Sequence, residues 1–119
     1  LYDAVMIKDN HLEAAESLHS AVNKVRNSVS HTVKIEVETE NLNQVEEALT
    51  AEADIIMLDN MKPELMKEAV ELIDGRAIVE ASGGINLATV VDVAQTGVDI
   101  ISVGSLTHSS NSLDISLNL

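Results

Sequence analysis

Residues 77–85, with the sequence AIVEASGGI, decide the fold that we expect for this chain. The first six of them are typical of a strand, which ends in a turn of Ser82, Gly83 and Gly84 before a predicted helix. Glycine lets the backbone approach a ligand closely, the serine offers a hydroxyl, and the start of a helix favours an anion. The stretch therefore predicts a phosphate site at the end of a strand.

A second turn of small residues follows the next predicted strand. Residues 99–103 are strand-like and lead directly into Gly104 and Ser105. Two neighbouring strands would thus present small residues at the same end of a sheet. Because α/β barrels hold phosphates in the loops that follow their late strands, we expect the two turns to act together on one phosphate.

Strand-like and helix-like segments alternate along the whole chain. The predicted strands cover residues 4–8, 33–38, 54–59, 77–82 and 99–104. The predicted helices cover residues 10–28, 42–51, 63–73 and 87–95, and residues 113–119 predict a short strand against another element. Strict alternation with short connections indicates parallel strands joined by right-handed crossovers. The expected fold class is α/β, as an open sheet or as more than half of a (β/α) barrel.

Several residues predict where the helices begin and end. Asn41 and Asn86 are suitable N-caps, and Pro63 suits the first turn of a helix. Gly75 and Gly97 are suitable helix stops. These signals support the helix boundaries given above.

Side-chain alternation in residues 33–38 predicts which face of the sheet is charged. Valine and isoleucine occupy one face, while Lys34, Glu36 and Glu38 occupy the other. The apolar face should contact the helices, so the charged face should point into the barrel. The same register brings a polar or small residue to the inward face at the end of every strand, namely Lys8, Glu38, Asp59, Ser82 and Gly104. In α/β barrels the active site lies at this rim.

Three charged residues at the rim are candidate catalytic residues. We expect Lys8 to contact an anionic substrate, the alternative being a lysine that neutralises Glu36 or Glu38 in a buried network. Glu38 and Asp59 lie on adjacent predicted strands, so their carboxylates can share Mg²⁺ through water or hold ribose hydroxyls. The alternative for this pair is an ordinary acidic rim.

We assign structural roles to six other polar residues and consider two histidines as further candidates for the site. An interior salt network is predicted lower in the barrel from Lys34, Glu36 and Glu80. Turn and helix-capping roles are assigned to Asp9, Asn10 and Asn60. Among the histidines, the weak candidates for the site are His11 and His108.

The composition narrows the classes of function. The chain has 119 residues, 45% of them hydrophobic, which suits one domain or part of one. Its 7 basic and 20 acidic residues give a net charge of −13, which argues against nucleic acid or an anionic membrane as partners. No apolar run is long enough for a spanning helix, and the absence of cysteine excludes a thiolate site and suits a cytoplasmic protein. Because the first residues already follow a strand pattern, we interpret the chain as a piece of a longer protein.

Six segments in order resemble the C-terminal half of quinolinate phosphoribosyltransferase, also called nicotinate-nucleotide pyrophosphorylase (carboxylating). They are MIKDNH at 6–11, KIEVE at 34–38, DIIMLDNM at 54–61, EASGGI at 80–85, TGVDIISVGSLTHS at 96–109 and LDISL at 113–117. The resemblance covers essentially the whole chain. It implies that residues 1–119 are the C-terminal part of a catalytic α/β barrel like those of type II phosphoribosyltransferases.

The resemblance also implies an activity and a set of partners. Enzymes of this family are pentosyltransferases that transfer a phosphoribosyl group from phosphoribosyl pyrophosphate to quinolinate with Mg²⁺. The products are nicotinate mononucleotide, carbon dioxide and pyrophosphate, in NAD biosynthesis. The family assembles as homo-oligomers, dimers or hexamers, with sites completed across subunits, and we expect the same here.

The family's functional positions map onto residues of this sequence. The resemblance places Lys8 beside the substrate anions, and Glu38 and Asp59 at the ribose and magnesium positions. It assigns two phosphate loops, which consist of Ser82, Gly83 and Gly84 and of Val103, Gly104 and Ser105. These include the rim positions that the strand register selects by itself.

The sequence departs from the family pattern at some points. The arginine-rich and His-Arg segments with which the family binds quinolinate lie upstream of a Leu-Tyr-Asp sequence like the one at the start of this chain. Glu52 stands where the family usually has glycine, and Ser105 where alanine is common. We therefore expect the 119-residue chain alone to be inactive. Alternatives are another phosphosugar-binding barrel enzyme, or a non-catalytic half-barrel whose open edges pair with a partner.

Overall fold

The computed structural model describes residues 3–8, 15–103 and 115–118. Its helices are α1 (Ala15–Ser28), α2 (Leu42–Thr50), α3 (Pro63–Ile73) and α4 (Val90–Ala94). Its strands are β1 (Ala4–Lys8), β2 (Lys34–Thr39), β3 (Ile55–Asp59), β4 (Ile78–Ser82), β5 (Ile100–Val103) and β6 (Ile115–Asn118). None of the helices in these ranges combines the length and the apolar character that crossing a bilayer requires.

All six strands form one sheet in the order in which they occur along the chain. Strands β1 to β5 are parallel, and each pairs with the next. Strand β6 returns antiparallel to β5, with Ile101 opposite Leu117, so the strand predicted in the tail forms and pairs within this chain. The sheet is open at β1 and β6. The predicted α/β class with parallel strands is thereby confirmed, and the open sheet is consistent with part of a barrel.

The apolar core lies between the sheet and the helices. The strand residues in it alternate along each strand as predicted: Ile35, Val37, Ile56, Leu58, Val79, Ala81, Ile101 and Val103. The helices contribute apolar residues to the same cluster, including Leu18, Val22, Val45, Ala48, Met66, Ala69, Ile73 and Val93. Because side chains alternate between the two faces of a strand, the charged positions in between lie on the face away from the helices.

The helix signals at Asn41 and Pro63 are confirmed, whereas the left-handed residue that ends α3 is Asp74, one residue before the predicted Gly75. Asn41 caps α2 by accepting a hydrogen bond from Gln44 N–H at 2.9 Å, and Pro63 is the first residue of α3. Helix α4 begins at Val90, later than the predicted residue 87. The reason is Asn86, whose Oδ1 accepts from the amides of Ala88 and Thr89 at 2.8 and 3.1 Å and holds them in a turn. Asn86 therefore caps a turn that precedes the helix.

Two aspartates extend the sheet by one rung at the amino ends of the strands. Asp54 N–H donates to Ile35 O at 3.0 Å, while Asp54 Oδ2 accepts from Ile35 N–H at 2.9 Å. Asp99 makes the same pair of bonds with Val79, both at 2.9 Å. Each carboxylate thus takes the place of a strand carbonyl. Asp54 also forms a partly exposed ion pair with Arg26 at 3.4 Å.

Candidate active site at the carboxyl ends of the strands

Four predicted site residues lie at one edge of the sheet. Lys8, Asp59 and Ser82 are the last residues of β1, β3 and β4, and Glu38 is the penultimate residue of β2. In the register of the sheet, Lys8 is opposite Glu38 and Asp59 is opposite Ser82. Since the strands are parallel, the structure brings these four residues together at the carboxyl ends, as the alternation predicted.

Lys8 and Glu38 form an ion pair at this edge. Lys8 Nζ lies 3.9 Å from Glu38 Oε2, and 52% of the lysine side chain is exposed against 13% of the glutamate side chain. The lysine therefore lies at the surface of the rim, and the alternative of a lysine in a buried network is not what the structure shows. An exposed ammonium group at this position is accessible to an anion from solvent.

Glu38 and Asp59 have neighbouring carboxyl groups. Burial raises the pKa of Glu38, and a hydrogen bond with Asp59 and the negative charge of Asp59 raise it further, whereas Lys8 lowers it. Two carboxyl groups this close favour a shared proton or a shared cation. Within the described ranges no cluster of three acidic, histidine or cysteine residues suits a metal ion. Two carboxylates nevertheless fit Mg²⁺, because this ion commonly completes its octahedral shell with water and substrate phosphates.

A second pair of carboxyl groups lies deeper on the same face. Glu36 is only 6% exposed, and its Oε2 has no hydrogen-bond partner in the described part of the chain. Burial, with the charges of Glu80 and Glu38, raises the pKa of Glu36 from 4.5 to about 7. A hydrogen bond between the Glu36 and Glu80 side chains raises the pKa of Glu36 further and favours a proton on Glu36. Glu80 in turn accepts a hydrogen bond from Ser102 Oγ at 2.5 Å.

The predicted interior salt network does not form. Among the described residues, Lys34 makes no ion pair with Glu36 or Glu80, and the ion pairs found are Lys8 with Glu38 and Arg26 with Asp54. The reason is the direction of the strand: Lys34 is the first residue of β2 and lines a cavity of about 750 Å³ at the amino ends of the strands. That cavity is at the opposite end of the sheet from the candidate site.

The Gly83–Gly84 turn packs directly against the end of β3. Both glycines have left-handed backbone conformations, with φ of 79° and 69°. A Cβ at Gly83 would lie 2.7 Å from Asp59 Oδ1, and a Cβ at Gly84 would lie 2.9 Å from Asn60 Oδ1. Only glycine fits both the conformation and the space. The loop that was predicted to hold phosphate and the carboxylate that was predicted to hold ribose are therefore in contact.

Helix α4 contributes less to this loop than the sequence predicted. Helix α4 has five residues and begins beyond the Asn86 turn, so its first amides do not adjoin Gly84. The amides of Ala88 and Thr89 already donate to Asn86 Oδ1. The amides of Gly83 and Gly84, by contrast, have no acceptor within the described residues. Any anion at this turn would be bound by the glycine amides and Ser82, with little help from a helix dipole.

Asn60 lies in the turn between β3 and α3, as predicted, but it does not cap the helix. The residue that caps α3 is Lys62, and Asn60 has a left-handed conformation with φ of 56°. Its N–H donates to Ser82 O at 2.8 Å, which connects the ends of β3 and β4. Asparagine is one of the few non-glycine residues that adopt this conformation readily, which was the one signal in the sequence that could have revealed it.

Of the remaining predicted positions, only Val103 lies within the described residues. Val103 is the last residue of β5 and its side chain is in the core, 3% exposed, so only its backbone can face a ligand. The other predicted or candidate positions lie outside the described residues: Asp9, Asn10, His11, Gly104, Ser105 and His108.

The fold and the site together define a class of protein. Parallel strands in sequential order, helices on one face, and acidic residues beside a diglycine turn at the carboxyl ends are the arrangement of an α/β-barrel active site. The chain matches the family described as quinolinate phosphoribosyl transferase, C-terminal domain, over residues 1–118. It therefore belongs to the quinolinate phosphoribosyltransferase family, as the resemblance in the sequence implied.

Individual relatives agree with this membership. The chain is 46% identical to a probable nicotinate-nucleotide pyrophosphorylase (carboxylating) of Methanocaldococcus jannaschii, covering 100% of this chain and 44% of the relative. It is also 46% identical to the Bacillus subtilis protein of the same name, covering 100% of this chain and 41% of that one. The crystal structure of NadC from Streptococcus pyogenes superposes with a TM-score of 0.78 at 42% identity, over 98% of this chain and 42% of NadC. The chain thus spans less than half the length of these relatives.

Proposed function

We propose that this chain is the C-terminal part of the catalytic barrel of an enzyme that transfers a phosphoribosyl group from phosphoribosyl pyrophosphate to quinolinate. The transfer is accompanied by decarboxylation and yields nicotinate mononucleotide, carbon dioxide and pyrophosphate. The observation that carries the proposal is the contact between Asp59 and the Gly83 turn, beside the Lys8–Glu38 ion pair, in a member of this family. This arrangement provides groups for a sugar and for a phosphate at one rim.

Glu38 and Asp59 are proposed to hold the ribose. Their neighbouring carboxyl groups can accept hydrogen bonds from two adjacent hydroxyls, which fixes the orientation of the sugar. Their negative charge also stabilises the positive charge that develops on the sugar when pyrophosphate departs. The same two residues would hold Mg²⁺, which when bound supplies positive charge to the pyrophosphate group.

Gly83, Gly84 and Ser82 are proposed to hold the phosphate of the phosphoribosyl group. Their backbone amides and hydroxyl act without a positive side chain, which suits a chain with a net charge of −13. Lys8 adds one mobile cation at the rim, where its exposed ammonium can leave Glu38 for an anionic substrate. The sequence contains no cysteine that could act as a covalent nucleophile, and electrostatic positioning is the mechanism that we propose.

The complete site is proposed to need more chain than these 119 residues. Strand β1 leaves one edge of the sheet unpaired. On the inward face of the described strands, the carboxyl groups of Glu36, Glu38, Asp59 and Glu80 outnumber two lysines, Lys8 at the rim and Lys34 at the amino ends. Basic groups from elsewhere in the protein or from another subunit would balance this charge and bind the quinolinate carboxylates. Assembly as a homodimer or hexamer and a cytoplasmic location stay predictions.

The test is formation of nicotinate mononucleotide by the complete enzyme that contains this chain, supplied with quinolinate, phosphoribosyl pyrophosphate and Mg²⁺. Asp59→Asn should lower kcat/KM by about 100-fold or more, because it removes a charge that acts in the transition state. Asp74→Asn is the matched control, since Asp74 caps α3 at the other end of the sheet.

Two outcomes would contradict the proposal. One is a complete enzyme that forms no nicotinate mononucleotide but converts another phosphosugar. The other is release of carbon dioxide from quinolinate by the isolated 119-residue chain above a Lys8→Ala control, because the isolated chain should be inactive.

A further inference from the structure

Asn60 follows Asp59, which is proposed to bind the ribose, and contacts the turn that is proposed to bind the phosphate. Its N–H donates to Ser82 O at 2.8 Å, at the start of the diglycine turn. Its backbone nitrogen lies 3.0 Å and its Oδ1 lies 2.9 Å from the positions that a Cβ would take at Gly83 and at Gly84 respectively. One residue therefore contacts all three members of the turn.

The left-handed conformation of Asn60 makes these contacts possible. With φ of 56°, the chain reverses between Asp59, which faces the rim, and Met61, which is 6% exposed and belongs to the core. Because Met61 is held in the core, a residue with negative φ at this position would shift the end of β3, and with it the N–H that donates to Ser82 O. The hydrogen bond to the turn thus depends on a conformation that most residues avoid.

Asn60 differs in its position from the other non-glycine residues with positive φ. Within the described ranges, three non-glycine residues have positive φ, and the other two are Glu52 and Asp74. Glu52 lies between α2 and β3 and Asp74 follows α3, so both are at the amino ends of the strands. Only Asn60 lies at the carboxyl ends, beside the candidate site.

We propose that Asn60 is a positioning residue for the phosphate-binding turn. It holds Ser82, Gly83 and Gly84 in the orientation that directs the two glycine amides and the Ser82 hydroxyl to the phosphate of phosphoribosyl pyrophosphate. The inference rests on the proposed function for its ligand, but the contact between Asn60 and the turn is independent of any reaction. Asn60 acts through the turn and touches no reacting atom itself.

The experiment compares three variants of the complete enzyme. Asn60→Ala disfavours positive φ and should break the bond to Ser82, whereas Asn60→Gly accepts positive φ and should keep it. Asp74→Ala is the matched control, because it has the same backbone cost, with φ of 48°, away from the site. The measurements are hydrogen exchange of residues 80–86 by mass spectrometry and separate KM values for the two substrates.

We expect Asn60→Ala to affect the binding of only one substrate, phosphoribosyl pyrophosphate, and the hydrogen exchange of one segment, residues 80–86. Asn60→Ala should speed up exchange in residues 80–86 and raise the KM for phosphoribosyl pyrophosphate about tenfold, the effect of losing about one well-placed hydrogen bond. Its KM for quinolinate should change less than about twofold, since the turn does not bind that substrate. Asn60→Gly should restore both measurements to within about threefold of the unmodified enzyme, and Asp74→Ala should leave both unchanged.

Other results would overturn the inference. Unchanged exchange in Asn60→Ala means that Asn60 does not hold the turn. Faster exchange with an unchanged KM for phosphoribosyl pyrophosphate means that the contact is only structural. An equal rise in both KM values, or no rescue by glycine, also counts against it. If the unmodified enzyme forms no nicotinate mononucleotide, the proposed function fails, and the exchange measurement alone decides whether Asn60 holds the turn.

Discussion

The carboxylate of Asp59 and the α-carbon of Gly83 are in direct contact, so that a single methyl group at Gly83 would lie 2.7 Å from Asp59 Oδ1. Asp59 is the last residue of β3 and Gly83 directly follows the neighbouring strand β4, and each residue constrains the other. A side chain at position 83 would displace the Asp59 carboxylate, and this carboxylate limits where the turn can move. This contact connects the predicted sugar-binding group to the predicted phosphate-binding loop.

We expect Gly83→Ala to cost more than its backbone conformation alone explains. The φ of 79° costs about 1 kcal/mol for alanine, and the clash with Asp59 and Asn60 should add about 1–3 kcal/mol to the loss in free energy of unfolding. Gly75→Ala is the matched control, because Gly75 has φ of 78° and open space around it. Urea denaturation of both variants measures the difference, and equal losses would show that the contact with Asp59 is unimportant.

Glu36 should make stability depend on pH. Its pKa is about 7 in the folded protein against 4.5 ordinarily, so folding favours the protonated form. The resulting stabilisation is fully present below about pH 4.5 and is lost as pH rises through about 7, by at most about 3 kcal/mol. Glu36→Gln should therefore be more stable than the unmodified protein at pH 8, and this advantage should vanish at pH 4.

The measurement for Glu36 is the free energy of unfolding at several pH values. Glu46→Gln, which changes an exposed glutamate on α2, serves as the control and should show no such pH-dependent advantage. If Glu36→Gln is less stable than the unmodified protein at pH 8, Glu36 is paired with a cation.

Asp99→Ala should destabilise the sheet at its amino end. The substitution leaves Val79 N–H without its acceptor and removes one of the two hydrogen bonds between Val79 and Asp99. We expect a loss of about 1–3 kcal/mol in the free energy of unfolding. Asp92→Ala, an exposed position on α4, should lose less than about 0.5 kcal/mol. Equal effects of the two substitutions in thermal or urea unfolding would contradict the role of the Asp99 carboxylate.

Glu52→Gly should stabilise the protein. Glu52 has φ of 62°, which costs a residue with a side chain about 1 kcal/mol, and glycine adopts this conformation freely. The greater flexibility of unfolded glycine offsets part of the gain, so we expect about 0.5 kcal/mol net. Glu46→Gly, on the exposed face of α2, should instead lose about 1 kcal/mol. A loss of stability in Glu52→Gly would argue that its side chain has a contact of its own.

Much of the fold could be predicted because the sequence pattern repeats. The two-residue alternation in β2 correctly identified which side chains meet the helices, and the same register placed Lys8, Glu38, Asp59 and Ser82 at one edge. The strand boundaries agree to within a residue or two where the structure describes them. Helix α4 began later than its apolar spacing suggested, because Asn86 competes locally for the first amides.

The sequence by itself determined the order of strands and helices, the charged face of the sheet and the family, since each depends on local periodicity or on motifs in order. Only the tertiary structure decided that Asn60 contacts the diglycine turn, that Glu36 has an oxygen without a partner, and that Asp54 and Asp99 extend the sheet. The physical reason is that these features depend on atoms from neighbouring strands. A hydrogen bond or a desolvated charge is defined by what lies opposite it, and residues far apart in the chain come to lie opposite each other only after the chain folds.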